Sequence, residues 1–341
     1  MSSSNNNPTL EQIAKAAGVS RSTVSRVINN KPNVSDEVRE RVWRVVKEMG
    51  YHPHAAARSL ASRRTRTLGI VIPQAVNTVF SDPYFSRVLH GIADAANEHQ
   101  YHMFLAMVPP HQEDDFYRRS LRSQMLEGVV IISAFLDDAL IPRLHRDGIP
   151  FVVIGRHPAI PEVNYVDVDN VHGAMMAVEH LMRLGRRRIA TITGPMNMVA
   201  GVDRLEGWKT ALRRNGHLVD ESLIAEGDFT EAGGYLAMQR LLPHKPDAVF
   251  AANDLMVIGA LRAIYEAGLR VPADIAVVGF DDAQVAAYST PPLTTVRQPI
   301  YKLGRTAAEL LFRLLEGRAP APLRAILPTE LVIRASCGSS M

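Results

Sequence analysis

From Leu68 onward, short apolar runs alternate with helical segments, and this alternation constrains the fold more than any other feature. The first four runs are LGIVIP, YHMFLAMV, GVVIISA and PFVVIG, and helices are predicted near 84–98, 113–125 and 137–147. Each run has the length of a strand and is too short to span a bilayer. Continuous apolar strands are typical of a parallel sheet covered by helices on both faces. The pattern therefore predicts a doubly wound α/β lobe.

A second series of the same kind predicts a second lobe. After the polar loop HPAIPEVNYVDVDN come RIATITG, LIAEGDF, DAVFAAND and IAVVGFDD. We interpret PLTTVRQPI as a return crossing, after which the helix YKLGRTAAELLFRLLEG completes the first lobe. We therefore assign 67–165 and 298–326 to lobe 1, and 166–297 and 327–341 to lobe 2.

The N-terminal residues 1–52 predict three short helices instead. Thr9 and Gln12 form the sequence pattern of a capping box, and Gly18 suits a left-handed C-cap. Ser20 and Ser35 are predicted to cap the second and third helices. Two helices joined by so short a turn predict a helix-turn-helix head.

Charge is concentrated in this head. The whole chain has a net charge of +3, but the first 66 residues carry twelve basic and five acidic side chains, so the remainder is net negative. A basic end on a mildly acidic body is typical of a protein that binds a polyanion at one end. The second helix, SRSTVSRVIN, has many hydroxyls and arginines and few apolar positions, which favours a helix that contacts the DNA major groove.

Residues 53–66 form a predicted hinge helix and linker. Pro53 suits the first turn of a helix, and AAARSLAS has good helix propensity but little apolar surface. Isolated helices need about 12–15 residues to be stable in water. We therefore expect this hinge to order only against a partner.

Several function classes are disfavoured by the sequence. A single cysteine, Cys337, favours a reducing compartment, and the N-terminal residues do not resemble an export signal, so we expect a cytoplasmic protein without membrane association. The motifs GxSxG, HExxH, GxxxxGK[ST] and GxGxxG do not occur, so we expect neither an enzyme nor a cofactor. His99 and His102 are interpreted as loop histidines rather than metal ligands.

Several blocks between Thr9 and about Ile333 share a further feature. They are TLEQIAKAAGVSRSTVSRVIN, VSDEVRERV, GYHPHAAARSLA, VDVDNVHGA, DRLEGWKTAL, FAANDLMVIGAL, VVGFDDAQVAAYSTPPLTTVRQP and LPTELVIRAS. In this order, they resemble the lactose-repressor/galactose-repressor (LacI/GalR) family of bacterial transcription regulators. The resemblance implies a multi-domain chain: an all-α DNA-binding head, a hinge helix, and a two-lobed sensor (67–341) with the fold of periplasmic binding proteins. It also implies a homodimer on palindromic operator DNA. A dimer is expected rather than a tetramer because the ending IRASCGSSM lacks a leucine heptad helix.

The resemblance also implies which residues contact DNA. Arg21, Ser22 and Arg26 would face base edges, where arginine matches guanine with two hydrogen bonds, and hydroxyls would bind phosphates. Leu60 would wedge into the minor groove. Relatives commonly carry asparagine where this chain has His54, whose charge depends on pH near neutrality. The full expected set is Thr9, Ser20, Arg21, Ser22, Thr23, Ser25, Arg26, Asn29, His54 and Leu60.

A ligand is expected in the crevice between the lobes, at the carboxyl ends of the strands. The family positions are Arg204, Phe229, Asn253, Asp281 and Gln298, with Phe85 and Arg156 as further candidates at the ends of lobe 1 strands. Either Asn253 or Asp254 is expected to cap a helix, and only one of Asp281 and Asp282 to face the crevice. The expected function is a repressor of carbohydrate-utilisation genes controlled by a small sugar. The alternatives are a purine-responsive corepressor system and a sugar-binding transport protein.

Overall fold

The structure is a computed structural model that divides into two compact units, residues 1–65 and 66–341. It describes residues 8–28, 31–51, 65–109, 112–122, 125–133, 135–318, 320 and 322–339. No helix within these ranges is long and apolar enough to cross a membrane.

The head contains three helices, α1 (Leu10–Ala17), α2 (Arg21–Ile28) and α3 (Asp36–Glu48). Its core is small and takes residues from every helix: Ile13, Ala14, Ala17, Val24, Val27, Val42, Val46 and Tyr51. Because only two residues of α2 are fully buried, most of that helix remains available at the surface.

The helix ends of the head lie where the sequence pattern predicts them, and three of the four end residues also show the expected cap geometry. Thr9 and Gln12 form the capping box, with each side chain accepting the other residue's backbone N–H. Gly18 ends α1 in the left-handed conformation at φ 65°, and Ser20 Oγ accepts the N–H of Thr23 at 3.1 Å. Ser35 occupies the predicted N-cap position of α3, but its side chain makes no capping hydrogen bond. The two acidic residues in the first turn of α3 provide the negative charge there instead.

Lobe 1 is built on a sheet of six strands: β1 (Thr67–Ile72), β2 (His102–Met107), β3 (Gly128–Ile132), β4 (Phe151–Ile154), β5 (Tyr165–Val168) and β11 (Arg324–Leu327). The sheet is fully parallel and has the order β11-β5-β4-β3-β1-β2. The helices are α4 (Val76–Ser81), α5 (Pro83–Glu98), α6 (Glu113–Phe116), α7 (Leu140–Arg146) and α13 (Ile300–Leu315), and α6 continues as a π-helical turn over Tyr117–Leu121.

Lobe 2 has a second sheet of six described strands: β6 (Ile189–Thr193), β7 (Ile224–Glu226), β8 (Ala248–Ala251), β9 (Ala276–Asp281), β10 (Thr294–Arg297) and β12 (Glu330–Val332). Their order is β12-β10-β9-β8-β6-β7, and among them only β12 is antiparallel to its neighbour. The helices are α8 (Asn170–Arg183), α9 (Val199–Arg214), α10 (Glu231–Leu241), α11 (Asp254–Glu266) and α12 (Gln284–Tyr288).

The chain crosses between the lobes three times. The crossings follow β5, β10 and β11, at residues 169, 298–299 and 328–329. Two of them lie beyond the boundaries expected from the sequence, because the apolar residues Val166, Val168 and Leu327 extend β5 and β11 within the first sheet.

Two helices of lobe 1 differ from the sequence prediction. Helix α4 was not predicted, because it is too short to show a helical period. Helix α7 begins at Leu140, where Asp138 accepts the N–H groups of Leu140 and Ile141.

In each lobe, two neighbouring helices touch backbone to backbone through glycines. A Cβ atom added at Gly91, Gly304, Gly234 or Gly259 would lie only 1.9–2.1 Å from a carbonyl oxygen of the opposing helix, that of Tyr301, Val88, Met256 or Glu231 respectively. The pairs α5–α13 and α10–α11 are therefore closer than any side chain would permit.

This contact generates a stability prediction. Gly259→Ala should lower the free energy of unfolding by about 3 kcal/mol or more, since the backbones of α10 and α11 must separate to admit the methyl group. The control is Gly148→Ala, where the added methyl group meets nothing within 4 Å and only the left-handed backbone at φ 65° is strained. That strain costs about 1–2 kcal/mol. Urea unfolding of both variants measures the difference, and equal losses would contradict the packing argument.

Candidate functional site

A cavity lies between the two lobes at the carboxyl edges of their sheets, and it brings together every ligand residue expected from the sequence. Those seven are Phe85, Arg156, Arg204, Phe229, Asn253, Asp281 and Gln298. Four of them stand at or just after strand ends, because parallel strands bring their carboxyl ends to one edge: Arg156, Asn253, Asp281 and Gln298. The placement of Phe85 at a strand end is wrong: it is the third residue of α5, buried against the lobe 1 core.

Arg204, on α9, is a buried residue that lines the cavity. Its guanidinium is buried and donates to Asn170 Oδ1 at 2.9 Å and to the carbonyl of Ala252 at 2.5 Å. It lies 3.5 Å from Asp281 Oδ1 and stacks on the ring of Phe280, 3.8 Å from its centroid. Burial lowers the pKa of Arg204, and the carboxylate of Asp281 opposes that shift.

Asp281 is the acidic partner of this guanidinium. Burial raises the pKa of its carboxyl group, while Arg204 and a hydrogen bond from Gln298 Nε2 favour the ionised form. The neighbouring Asp282 points elsewhere and forms ion pairs with Arg297 and Arg334, both at 2.7 Å. Of the two adjacent acids, Asp281 therefore lines the cavity.

Asn253 is the N-cap of α11. Its Oδ1 accepts the N–H of Met256 at 2.9 Å, and its Nδ2 donates to the carbonyl of Phe229 at 2.9 Å. Phe229 itself adopts a positive φ of 66°, so the amide of Asn253 holds an unusual backbone in place beside the cavity. Asp254 is buried behind this layer, where it accepts from Thr295 and from the N–H of Ala283.

Arg156 joins the two lobes. It follows β4 of lobe 1 and pairs through both terminal nitrogens with Asp203 of α9 in lobe 2, at 2.5 and 2.6 Å. It also donates to Asp167 of β5 at 3.2 Å. Burial raises the pKa of Asp167 to about 6, with Arg156 opposing.

The cavity is also lined by polar residues that were not predicted from the sequence: Gln74, Thr78, Asp82, Tyr84, Ser133, Asp167, Asn170 and Asp228. Two signals pointed to some of them. Asp167 and Asn170 lie within the block VDVDN at the first crossing, and Asp228 directly precedes Phe229. Asp82 and Tyr84 had no comparable signal, because only the turn from α4 into α5 brings them to the cavity.

In the head, some of the expected DNA-contacting residues cap helices, and others lie along α2. The hydroxyls of Thr9 and Ser20 cap helices, and Ser20 Oγ also lies 2.7 Å from Ser22 Oγ and 2.8 Å from Thr23 Oγ1. Arg21, Ser22 and Arg26 are exposed, whereas Ser25 is partly buried. Positions 22 and 26 share one face of α2 because they are four residues apart.

Arg21 lies 3.0 Å from Glu11 of α1 in an exposed ion pair. Asn29, His54 and Leu60 lie outside the described residues, so their expected roles stay predictions. Within the described part of the chain, no group of three or more histidine, cysteine, aspartate or glutamate side chains is arranged to hold a metal ion.

Comparison with protein families identifies both units. Residues 9–54 match the model of bacterial regulatory proteins of the lacI family, and residues 178–337 match a periplasmic binding protein-like domain. The HTH-type transcriptional regulator CelR of Thermobifida fusca is 44% identical over 333 residues, covering 96% of this chain and 98% of the relative.

Solved structures show the same likeness. A complex of the transcriptional regulator CelR with cellobiose is 42% identical, with a TM-score of 0.78 over 96% of this chain and 99% of that chain. The lac repressor dimer bound to operator and the anti-inducer ONPF is 31% identical, with a TM-score of 0.84 over 97% of this chain and 99% of that chain.

These relatives are transcriptional regulators and not enzymes, and the expected architecture of a helix-turn-helix head with a two-lobed sensor is confirmed. The chain therefore belongs to the LacI family of bacterial regulatory proteins and is a DNA-binding transcriptional regulator.

Proposed function

We propose that this regulator represses carbohydrate-utilisation genes in the cytoplasm and is controlled by a small sugar bound between its lobes. The observation that carries the proposal is the convergence of Arg204, Asp281 and Gln298 with the ring of Phe229 in one cavity. Planar polar groups beside an aromatic ring match a sugar, which presents hydroxyls at its edge and C–H groups on its faces. The cellobiose complex of CelR supports a β-linked glucose disaccharide as the first candidate.

The DNA-binding half of the proposal rests on α2. The exposed side chains of Arg21, Ser22 and Arg26 would face base edges, and the hydroxyls of Ser20, Thr23 and Ser25 would lie near phosphates. One head covers a half-site only, so a homodimer on a palindromic operator is the matching assembly.

The proposed allosteric control rests on the polar contacts between the two lobes near the cavity. A ligand shifts a conformational equilibrium only if its contacts differ between the two states. Arg156 already pairs with Asp203 of the other lobe, and Arg204 of lobe 2 bonds Asn170 at the first crossing. A sugar placed among these groups would change the relative energy of open and closed lobes, and we propose that the hinge with Leu60 transmits this change to the heads.

The direct test is operator binding by the full-length protein at fixed salt, titrated with cellobiose, other disaccharides and purines. We expect cellobiose or a related disaccharide to release the DNA. Tighter DNA binding in the presence of a purine would replace this proposal with a corepressor system, and no operator binding would refute the proposed role of α2.

The aromatic ring of Phe229 generates a specific prediction about sugar affinity. Phe229→Ala should weaken sugar binding by more than tenfold, because burying a phenylalanine side chain contributes about 1.5–3 kcal/mol. Operator affinity without sugar should stay unchanged. Isothermal titration measures the first and fluorescence anisotropy the second. The control is Leu218→Ala, an exposed apolar residue of lobe 2 outside the cavity; equal sugar affinity in both variants would show that the ring makes no contact.

A second prediction concerns sequence recognition. Arg26→Ala should weaken binding to the specific operator by about 1–3 kcal/mol and binding to scrambled DNA far less. Arg44→Ala removes the same charge from the exposed side of α3 and should affect both DNAs alike, and only weakly. Anisotropy at one salt concentration is required, since phosphate contacts depend strongly on salt. An equal loss on both DNAs for Arg26→Ala would mean that this side chain contacts phosphate only.

A further inference from the structure

We propose that the cleft selects uncharged sugars and rejects sugars that carry a phosphoryl group, and that Asp82 is the lobe 1 residue that enforces this selection. The inference deepens the proposed sugar-binding function and rests on it. It concerns which chemical form of a sugar the same cavity accepts.

The first step is the balance of charge around the cavity. The described lining residues include four carboxyl side chains and two guanidinium groups. The carboxyl groups belong to Asp82, Asp167, Asp228 and Asp281, and the guanidinium groups to Arg156 and Arg204. When the carboxyl groups are ionised, the lining carries excess negative charge, which favours ligands that donate hydrogen bonds and opposes ligands that bring a further negative charge.

The second step is that both cations already have acidic partners. Arg156 pairs with Asp203 and Asp167, and Arg204 lies against Asp281. Arg204 also donates to Asn170 and to a main-chain carbonyl. A phosphoryl group that drew either guanidinium away from its acidic partner would break an ion pair, which costs free energy even though Asp281 would keep the hydrogen bond from Gln298. Sugar hydroxyls require no such exchange, because they can donate to the carboxylates as these stand.

The third step is the position of Asp82 at the start of α5. The N-terminus of a long helix attracts anions through its free N–H groups and its dipole. Here Tyr84 and Phe85, in the first turn of the 16-residue α5, line the cavity. Asp82 occupies the N-cap, where its Oδ1 accepts the N–H of Tyr84 at 2.9 Å. Its carboxylate therefore neutralises the helix end that would otherwise be the natural anion site of lobe 1.

The fourth step is the relation of Asp82 to lobe 2. Burial raises the pKa of Asp281 to about 7, with Arg204 opposing the rise and the charge of Asp82 adding to it. Burial also raises the pKa of Asp82, and the hydrogen bond from the N–H of Tyr84 and the charge of Arg204 oppose this rise. Asp82 of lobe 1 and Asp281 of lobe 2 both line the cavity, so they act on the same space from opposite lobes. An uncharged sugar between them can donate hydroxyls to both, whereas a phosphorylated sugar meets repulsion from both.

The test compares cellobiose with cellobiose 6-phosphate by isothermal titration of the full-length protein at pH 8, which is above the second pKa of the phosphate and above the pKa of about 7 to which burial raises Asp281. The wild-type protein should bind the phosphorylated sugar at least about 100-fold more weakly. Asp82→Asn retains a side chain able to cap the helix and removes the charge. It should therefore lower the ratio of the affinity for cellobiose to the affinity for cellobiose 6-phosphate about tenfold. Glu162→Gln removes an exposed acidic charge of lobe 1 outside the cavity and should leave the ratio unchanged.

The outcomes separate the two proposals. Equal affinity of the wild-type protein for both sugars would overturn the charge selection and leave sugar sensing intact. An unchanged ratio in Asp82→Asn, with wild-type thermal stability, would overturn the role of Asp82. If neither sugar binds and neither releases operator DNA, the proposed cellobiose-type effector fails and the selection inferred for it fails with it.

Discussion

The buried guanidinium of Arg204 is the interaction on which the sensor depends. A charge removed from water requires compensation by several partners at once. Here the partners come from different parts of the chain: Asn170 at the first crossing, Asp281 at the end of β9, and the carbonyl of Ala252 after β8. One side chain of α9 therefore holds together three segments, each of which carries a residue that lines the cavity.

The two kinds of contact in the sensor differ in how easily they can rearrange. Inside each lobe, glycines such as Gly91 and Gly259 bring helix backbones into direct contact, and close packing of this kind resists deformation. Between the lobes, the contacts near the cavity are largely polar and electrostatic, as in the pair of Arg156 with Asp203. Polar contacts can be exchanged for contacts with a ligand. Rigid lobes joined by exchangeable contacts suit a protein that converts ligand binding into a change of lobe position.

Much of the fold was predictable because local patterns determine it. Continuous apolar runs predicted the parallel strands, and the capping box at Thr9 predicted where the first helix begins. The ligand residues at strand ends were predictable because parallel strands bring their carboxyl ends together, as for Asn253. Asp82 was not predictable, since its place at the cavity depends on how α4 and α5 pack in three dimensions. Phe85 was misplaced at a strand end although the predicted helix near 84–98 already contained it. The boundary of β5 shifted because its pairing with β11 is remote in sequence.

The crossings have a consequence for how such a regulator changes during evolution. Asp167 and Asn170 flank the first crossing and Gln298 lies within the second, so these cavity residues belong to the segments about which the lobes would turn. A substitution at one of these residues alters both the ligand specificity and the equilibrium between open and closed lobes in the absence of ligand. Phe229 and Asp82 lie away from the crossings. New effector specificities should therefore arise first at positions of this second kind, where ligand choice can drift while the response of the regulator is preserved.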